Sequence, residues 1–160
     1  MYNIEITADS KLLALYLGWE YIGFSTSLPK NTKGGWYKNV FSPSEGQWHL
    51  VHPKSRYSPI TDGRYGEWVC RTNSELRFYN SYDWLFEVVN KVEKEDLSEY
   101  FDDGNFEAVL VDRMSSGWDV NISLRYDPPI FLYESDYKFT DKENLFYSCL
   151  AAVKYINERK

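Results

Sequence analysis

Apolar residues recur at three- and four-residue spacing in three stretches of this chain, and they alternate with polar residues in a fourth. Leu85, Val88, Val89 and Val92 make one face of an amphipathic helix. Residues 78–92 as a whole read as a strand end, a capped turn and then that helix. Ser81 or Asn80 can accept from the free N–H groups of the first turn, and Asp83 places negative charge at the end that favours it. Val88 and Val89 are adjacent β-branched residues, so packing rather than intrinsic propensity has to hold the helix. A shorter helix is predicted over residues 9–17, capped by Asp9, with Leu12, Leu13, Tyr16 and Leu17 as its stripe. Gly18 suits the left-handed position past its end, and Trp19 can fold back over Leu13 or Ala14. The third helix starts at Thr140, whose hydroxyl can serve the third helical N–H while Glu143 reaches back. It carries Leu145, Phe146, Cys149, Leu150, Val153 and Ile156 on one side.

The clearest strand signal is Trp118, Val120, Ile122 and Leu124 alternating with Asp119, Asn121, Ser123 and Arg125. With residues 106–113 before it and a turn at 114–117, it predicts a hairpin. Asp127, Pro128 and Pro129 break the ladder, leaving residues 130–134 as a short edge strand. Upstream, strands are predicted at 36–41, 47–51, 64–70 and 75–79. Residues 25–33 and 52–63 read as loops, and 93–104 as an acidic turn. Three helices among antiparallel strands give an α+β fold, a mainly antiparallel sheet packed by three helices in an α/β/α sandwich-like arrangement. The length predicts a single globular domain over residues 1–160, with an irregular insert at about 43–75.

Charge is unevenly spread. Residues 82–160 carry nine basic and seventeen acidic groups, enough to set the net charge of −6 and to make nucleic acid a poor partner. Seven carboxylates and one lysine fall within 93–107, a solvated helix end and turn unless they mimic nucleic-acid charge toward a host enzyme. Cys70 and Cys149 are far apart in sequence and fit a reducing compartment rather than a disulfide scaffold. The first nine residues lack an apolar leader segment, and Leu12 to Leu17 is too short a run to span a bilayer. A cytoplasmic protein with no membrane partner is expected.

Three segments resemble a known group when taken together. Leu12-Leu-Ala-Leu-Tyr-Leu-Gly-Trp19, Phe78-Tyr-Asn-Ser-Tyr-Asp-Trp-Leu-Phe-Glu-Val-Val-Asn-Lys-Val-Glu93 and Leu145-Phe-Tyr-Ser-Cys-Leu-Ala-Ala-Val-Lys-Tyr-Ile-Asn157 follow one another as in small bacteriophage and prophage proteins of the ABA-sandwich-like group. Tyr82, Phe86 and Glu87 stand where that pattern has Trp, Met and Pro. The resemblance implies a helix-flanked sheet and a phage-type origin. It brings no activity, cofactor or catalytic residue with it.

Chemistry-bearing residues concentrate in 48–71. Trp48, His49, His52, Arg56, Tyr57, Arg64, Tyr65, Trp68 and Arg71 combine the side chains that binding hot spots and stacking sites use. His49 and His52 would share a face on a helix, with Asp62 or Glu67 as third ligand of a metal or as the acid of a small hydrolase. On the strand predicted here they point to opposite faces, so no metal or other cofactor is expected. Lys33-Gly34-Gly35 lacks the rest of a phosphate loop and precedes a strand rather than a helix. No Gly-x-Ser-x-Gly elbow occurs. The leading expectation is a non-enzymatic phage-type accessory protein that binds a host protein or a small ligand, with an anti-defence role within its range. A nucleotide-processing hydrolase using His49 and His52, and a virion or assembly component, are the alternatives.

Overall fold

A computed structural model of the protein describes residues 4–23, 32–60 and 63–160. Most of the loop expected at 25–33, and Asp62 with it, lie outside the described residues. The chain divides into two compact units, Met1–Leu76 and Arg77–Lys160. The α+β class is as expected: three α-helices and two antiparallel sheets among the described residues. No described helix is long and apolar enough to cross a membrane.

In the first unit, helix α1 (Ile4–Tyr16) begins five residues before the expected start, so Asp9 is interior rather than a cap. Its buried positions Ser10, Leu13 and Ala14 fall on one face. The helix ends as the sequence predicts. Gly18 has φ +79°, its N–H donates to the Leu15 carbonyl at 3.0 Å, and the Trp19 N–H reaches the Ala14 carbonyl at 3.0 Å. This pair of bonds satisfies the last-turn carbonyls and buries Trp19 against the unit.

Four strands follow: β1 (Glu20–Ile22), β2 (Gly35–Phe41), β3 (Tyr57–Pro59) and β4 (Tyr65–Cys70), in the order β1-β2-β4-β3, every pair antiparallel. Neither β1 nor β3 was expected. Each is only three residues long, too short for a period of two to register. Residues 47–51 are not a strand either but part of a 3-10 helix, Glu45–Val51. The Gln47 side chain accepts from the Ser44 N–H at 3.0 Å, and that capping bond wins over a short apolar alternation. The expected strand at 75–79 is also overturned, by two single turns, Asn73–Glu75 and Phe78–Asn80. Leu76 and Phe78 are both buried, but Leu76 closes the first unit and Phe78 opens the second. Their alternation therefore does not mark one sheet face.

The second unit follows the sequence closely. Helix α2 (Tyr82–Val92) is capped by Ser81, whose hydroxyl accepts from the Trp84 N–H, and Leu85, Val88, Val89 and Val92 are its buried residues. Strands β5 (Phe106–Met114) and β6 (Gly117–Leu124) form the hairpin, and β7 (Ile130–Tyr133) adds the edge in the order β5-β6-β7. Helix α3 (Asp141–Arg159) carries the Thr140–Glu143 capping box. It lays Leu145, Phe146, Cys149, Leu150, Val153 and Ile156 into the core against β6, β7 and α2. Cys149 is fully buried, and burial pushes its thiol far up, which makes it inert core.

Candidate functional site

The nine residues singled out in 48–71 all belong to the first unit, and the fold disperses them. Trp48 and His49 are exposed on the Glu45–Val51 helix. His52 sits just past its end, where its Nδ1 accepts from the Lys54 N–H at 3.2 Å. The helical backbone removes the strand argument against a paired imidazole site. Even so, among the described residues no three His, Cys, Asp or Glu side chains gather as metal ligands.

Tyr57 and Tyr65 pack on Phe41, with ring centroids 5.0 and 6.3 Å away. Arg56 holds Glu67 at 3.0 Å and donates to the Tyr57 hydroxyl at 3.1 Å. Lys38 approaches the same carboxylate at 3.4 Å, as the Lys38–Glu67 register dictates. Glu67 is thus committed to two cations rather than poised as an acid. Arg64 donates to both Glu20 oxygens at 3.1 and 2.8 Å, tying β1 to the start of β4. Arg56, Tyr57, Arg64 and Tyr65, four of the nine, thus serve the sheet.

Trp68 and Arg71 do come together, in a cleft of about 540 Å³. Its described lining is Tyr21, Thr32, Lys33, Gly34, Trp68 and Arg71. Pairing of β2 between β1 and β4 converges these distant positions: Tyr21 sits opposite Trp36, and Tyr37 opposite Trp68. The indole Nε1 of Trp68 donates to the Gly34 carbonyl at 3.3 Å, and the Lys33 ammonium lies over the Trp68 ring at 4.9 Å. That cation–π contact is worth about 0.5–1 kcal/mol where it is exposed. Thr32 is anchored by a 2.8 Å bond from its hydroxyl to the Pro59 carbonyl. Tyr21 packs on Trp36 in a T-shaped contact at 5.6 Å and the residue remains 53% exposed.

Two side-chain cations in this cleft have no ion pair among the described residues. The Lys33 ammonium lies over the Trp68 ring, and the Arg71 guanidinium meets no carboxylate there, although the Arg71 backbone N–H donates to Glu75 at 2.9 Å. Arg56, Arg64 and Lys38 are paired. An unneutralised lysine and arginine on a concave aromatic surface favour an anion. Sequence reasoning missed Tyr21 and Lys33 because both lie outside 43–75. The only local signal was Lys33-Gly34-Gly35, which is not a helix-type phosphate loop.

The second unit has a denser cluster of ionisable groups at the start of α3. Asp141 accepts from the Tyr82 hydroxyl at 2.7 Å and from Trp118 Nε1 at 3.2 Å. Its other oxygen makes an ion-pair contact with Arg113 at 2.5 Å, without hydrogen-bond alignment. Glu143 accepts from the Tyr79 hydroxyl at 2.5 Å and from the Thr140 N–H at 3.2 Å. These bonds tie the carboxylates to the helix end, although Asp141 Oδ1 has no aligned donor and a cleft of about 480 Å³ opens beside them, lined by Tyr79, Tyr82 and residues 140–143.

The bond between Tyr79 and Glu143 has a pH signature. Accepting from the Tyr79 hydroxyl, and from Thr140, holds the Glu143 carboxyl below its ordinary range. The same bond, with lesser contributions from burial and nearby charge, raises the Tyr79 phenol to about 12. Stability from the raised phenol is complete below its unfolded value near 10 and is lost as pH rises toward 12. Stability from the depressed carboxylate is present above its unfolded value and is lost as pH falls through its folded one. Burial chiefly pushes the Tyr133 phenol up to about 12 as well, and the Tyr37, Tyr82 and Tyr100 phenols are also raised. An ultraviolet titration of Tyr79→Phe should therefore show one late phenol fewer than the native chain. An unchanged number of late phenols in that variant would contradict the assignment.

Compared with known protein families, curated proteins and solved structures, the chain matches none of them.

Proposed function

We propose that this chain is a phage-type accessory protein of the bacterial cytoplasm that works by binding, and that the cleft in its first unit takes a small anionic ligand. The observation that carries this reading is the pair of cations, Lys33 and Arg71, that face the cleft with no carboxylate partner among the described residues. The arrangement of the two supports capture rather than turnover. Lys33 is a point charge placed by the Trp68 ring, and Arg71 offers a forked donor. No nucleophile paired with a base accompanies them in the described lining. The volume falls within the roughly 300–1,000 Å³ of small-molecule sites.

Calorimetric titration with inorganic phosphate tests it. Binding that weakens with salt is expected, because the attraction is between exposed charges. Lys33→Gln and Arg71→Gln should each weaken phosphate about 5- to 30-fold, as expected for a charge-assisted bond of about 1–2 kcal/mol. Arg56→Gln, on the committed Glu67 pair, should leave binding unchanged. Phosphate heats that are absent, or equal in all four proteins, would refute the reading.

A further inference from the structure

The described lining of the cleft holds two aromatic rings, and they do not offer the same thing. Trp68 is the larger and the one sequence reading selects as a stacking surface. Its ring is already covered by the Lys33 ammonium at 4.9 Å, and its Nε1 is spent on the Gly34 carbonyl at 3.3 Å. The indole acts as a pedestal that fixes where Lys33 places its charge. Tyr21 is in the opposite condition. It packs against Trp36 in a T-shaped contact at 5.6 Å, so its orientation is set, and more than half of the residue's surface is open. An oriented ring with that much open surface is what a planar group stacks on, and each stacked base contributes about 1–3 kcal/mol.

We infer that the ligand of this cleft is a nucleoside phosphate, its base stacked on Tyr21 and its phosphate held by Lys33 and Arg71. The inference rests on the anion reading above and adds the second half of the molecule. It needs both features in one concavity, and the described lining supplies an open aromatic ring beside two unpaired cations. It also assigns a positioning role to Trp68, which acts on the phosphate through Lys33 rather than by touching the base.

The probes are adenosine monophosphate, adenosine and inorganic phosphate, titrated calorimetrically into the full chain. The monophosphate should bind about 5- to 150-fold more tightly than phosphate, the range that one stacked base contributes. Adenosine alone should be weaker than the monophosphate. Tyr21→Leu should bring the monophosphate down to the level of phosphate while leaving phosphate itself unmoved. Tyr21→Phe, which keeps the ring and controls for folding, should bind as the native chain does. Trp68→Leu should weaken phosphate and monophosphate by the same factor, since it releases Lys33. Monophosphate binding no tighter than phosphate would overturn the nucleoside assignment and leave the anion site standing. A monophosphate-specific loss in Trp68→Leu instead of Tyr21→Leu would also overturn it. Absence of phosphate binding would remove the anion site and this inference together.

Discussion

Gly35→Ala is expected to destabilise the first unit by about 3 kcal/mol or more, the range of substitutions that force strain into a packed backbone. Gly35 opens β2 with φ +138°, a conformation that side-chain-bearing residues rarely adopt. A Cβ there would lie 2.2 Å from the Cys70 carbonyl oxygen and 2.9 Å from the Arg71 Cα. Both are backbone atoms, so no side-chain rotation relieves the overlap, and the β2–β4 pairing itself has to move. Because Gly34 and Arg71 flank this contact and both line the cleft, the loss should reach the site as well as the sheet. Urea denaturation of the full chain followed by Trp fluorescence would show it. An unchanged transition, with phosphate binding intact, would mean that the close approach is not a feature of the fold. Gly46→Ala, at a glycine with open space around it, is the neutral comparison.

The largest loss in the second unit is expected from Asn144→Ala. Asn144 is fully buried near the start of α3, and its amide serves three chain segments at once. Its Oδ1 accepts from the Tyr133 hydroxyl at 2.8 Å and from the Asp136 N–H at 3.0 Å. Its Nδ2 donates to the Asp136 carbonyl at 3.0 Å and to the Ser116 and Phe139 carbonyls at 3.4 Å. Alanine leaves two donors with no acceptor, and a buried unsatisfied group costs about 1–3 kcal/mol, so a total of about 3–5 kcal/mol is expected. Asn144→Asp should fare no better at neutral pH, since a carboxylate has no donor for three carbonyls and would be desolvated. It should recover partly in acid, where one oxygen regains a proton. A loss under 1 kcal/mol for alanine would contradict the bridging role. Gly117 sits against the same amide, with a virtual Cβ 2.7 Å from Nδ2, so the hairpin turn and the asparagine are packed as one piece.

The second unit was readable because its signals are local. Ser81 and Thr140 announce their helices within four residues, and the alternation in β6 runs long enough to outweigh chance. The first unit was not, because its sheet is assembled from non-local pairings of short strands. Tyr21 and Trp68 are 47 positions apart and meet only through β2. Composition pointed to arginine and aromatic residues in the right region, and Trp68 and Arg71 do line the cleft. It could not say that Arg56 and Arg64 are neutralised by Glu67 and Glu20, because neither acid is a sequence neighbour. Which cations stay unpaired is a property of the fold. Asn144 is the mirror case: nothing in its flanking residues marks a fully buried amide that bridges a hairpin turn and a helix start.

The proposed binding site of the first unit rests on Lys33 and Arg71, whose side chains have no ion pair among the described residues. Amide chemical-shift mapping during titration with adenosine monophosphate tests it most directly, because it reports position as well as affinity. Saturable shifts are expected at Tyr21, at residues 32–34 and at residues 68–71, with the α3 start at residues 140–143 unmoved. Shifts confined to residues 140–143, or to the exposed Trp48–His52 segment, or no saturable shift at all, would contradict it.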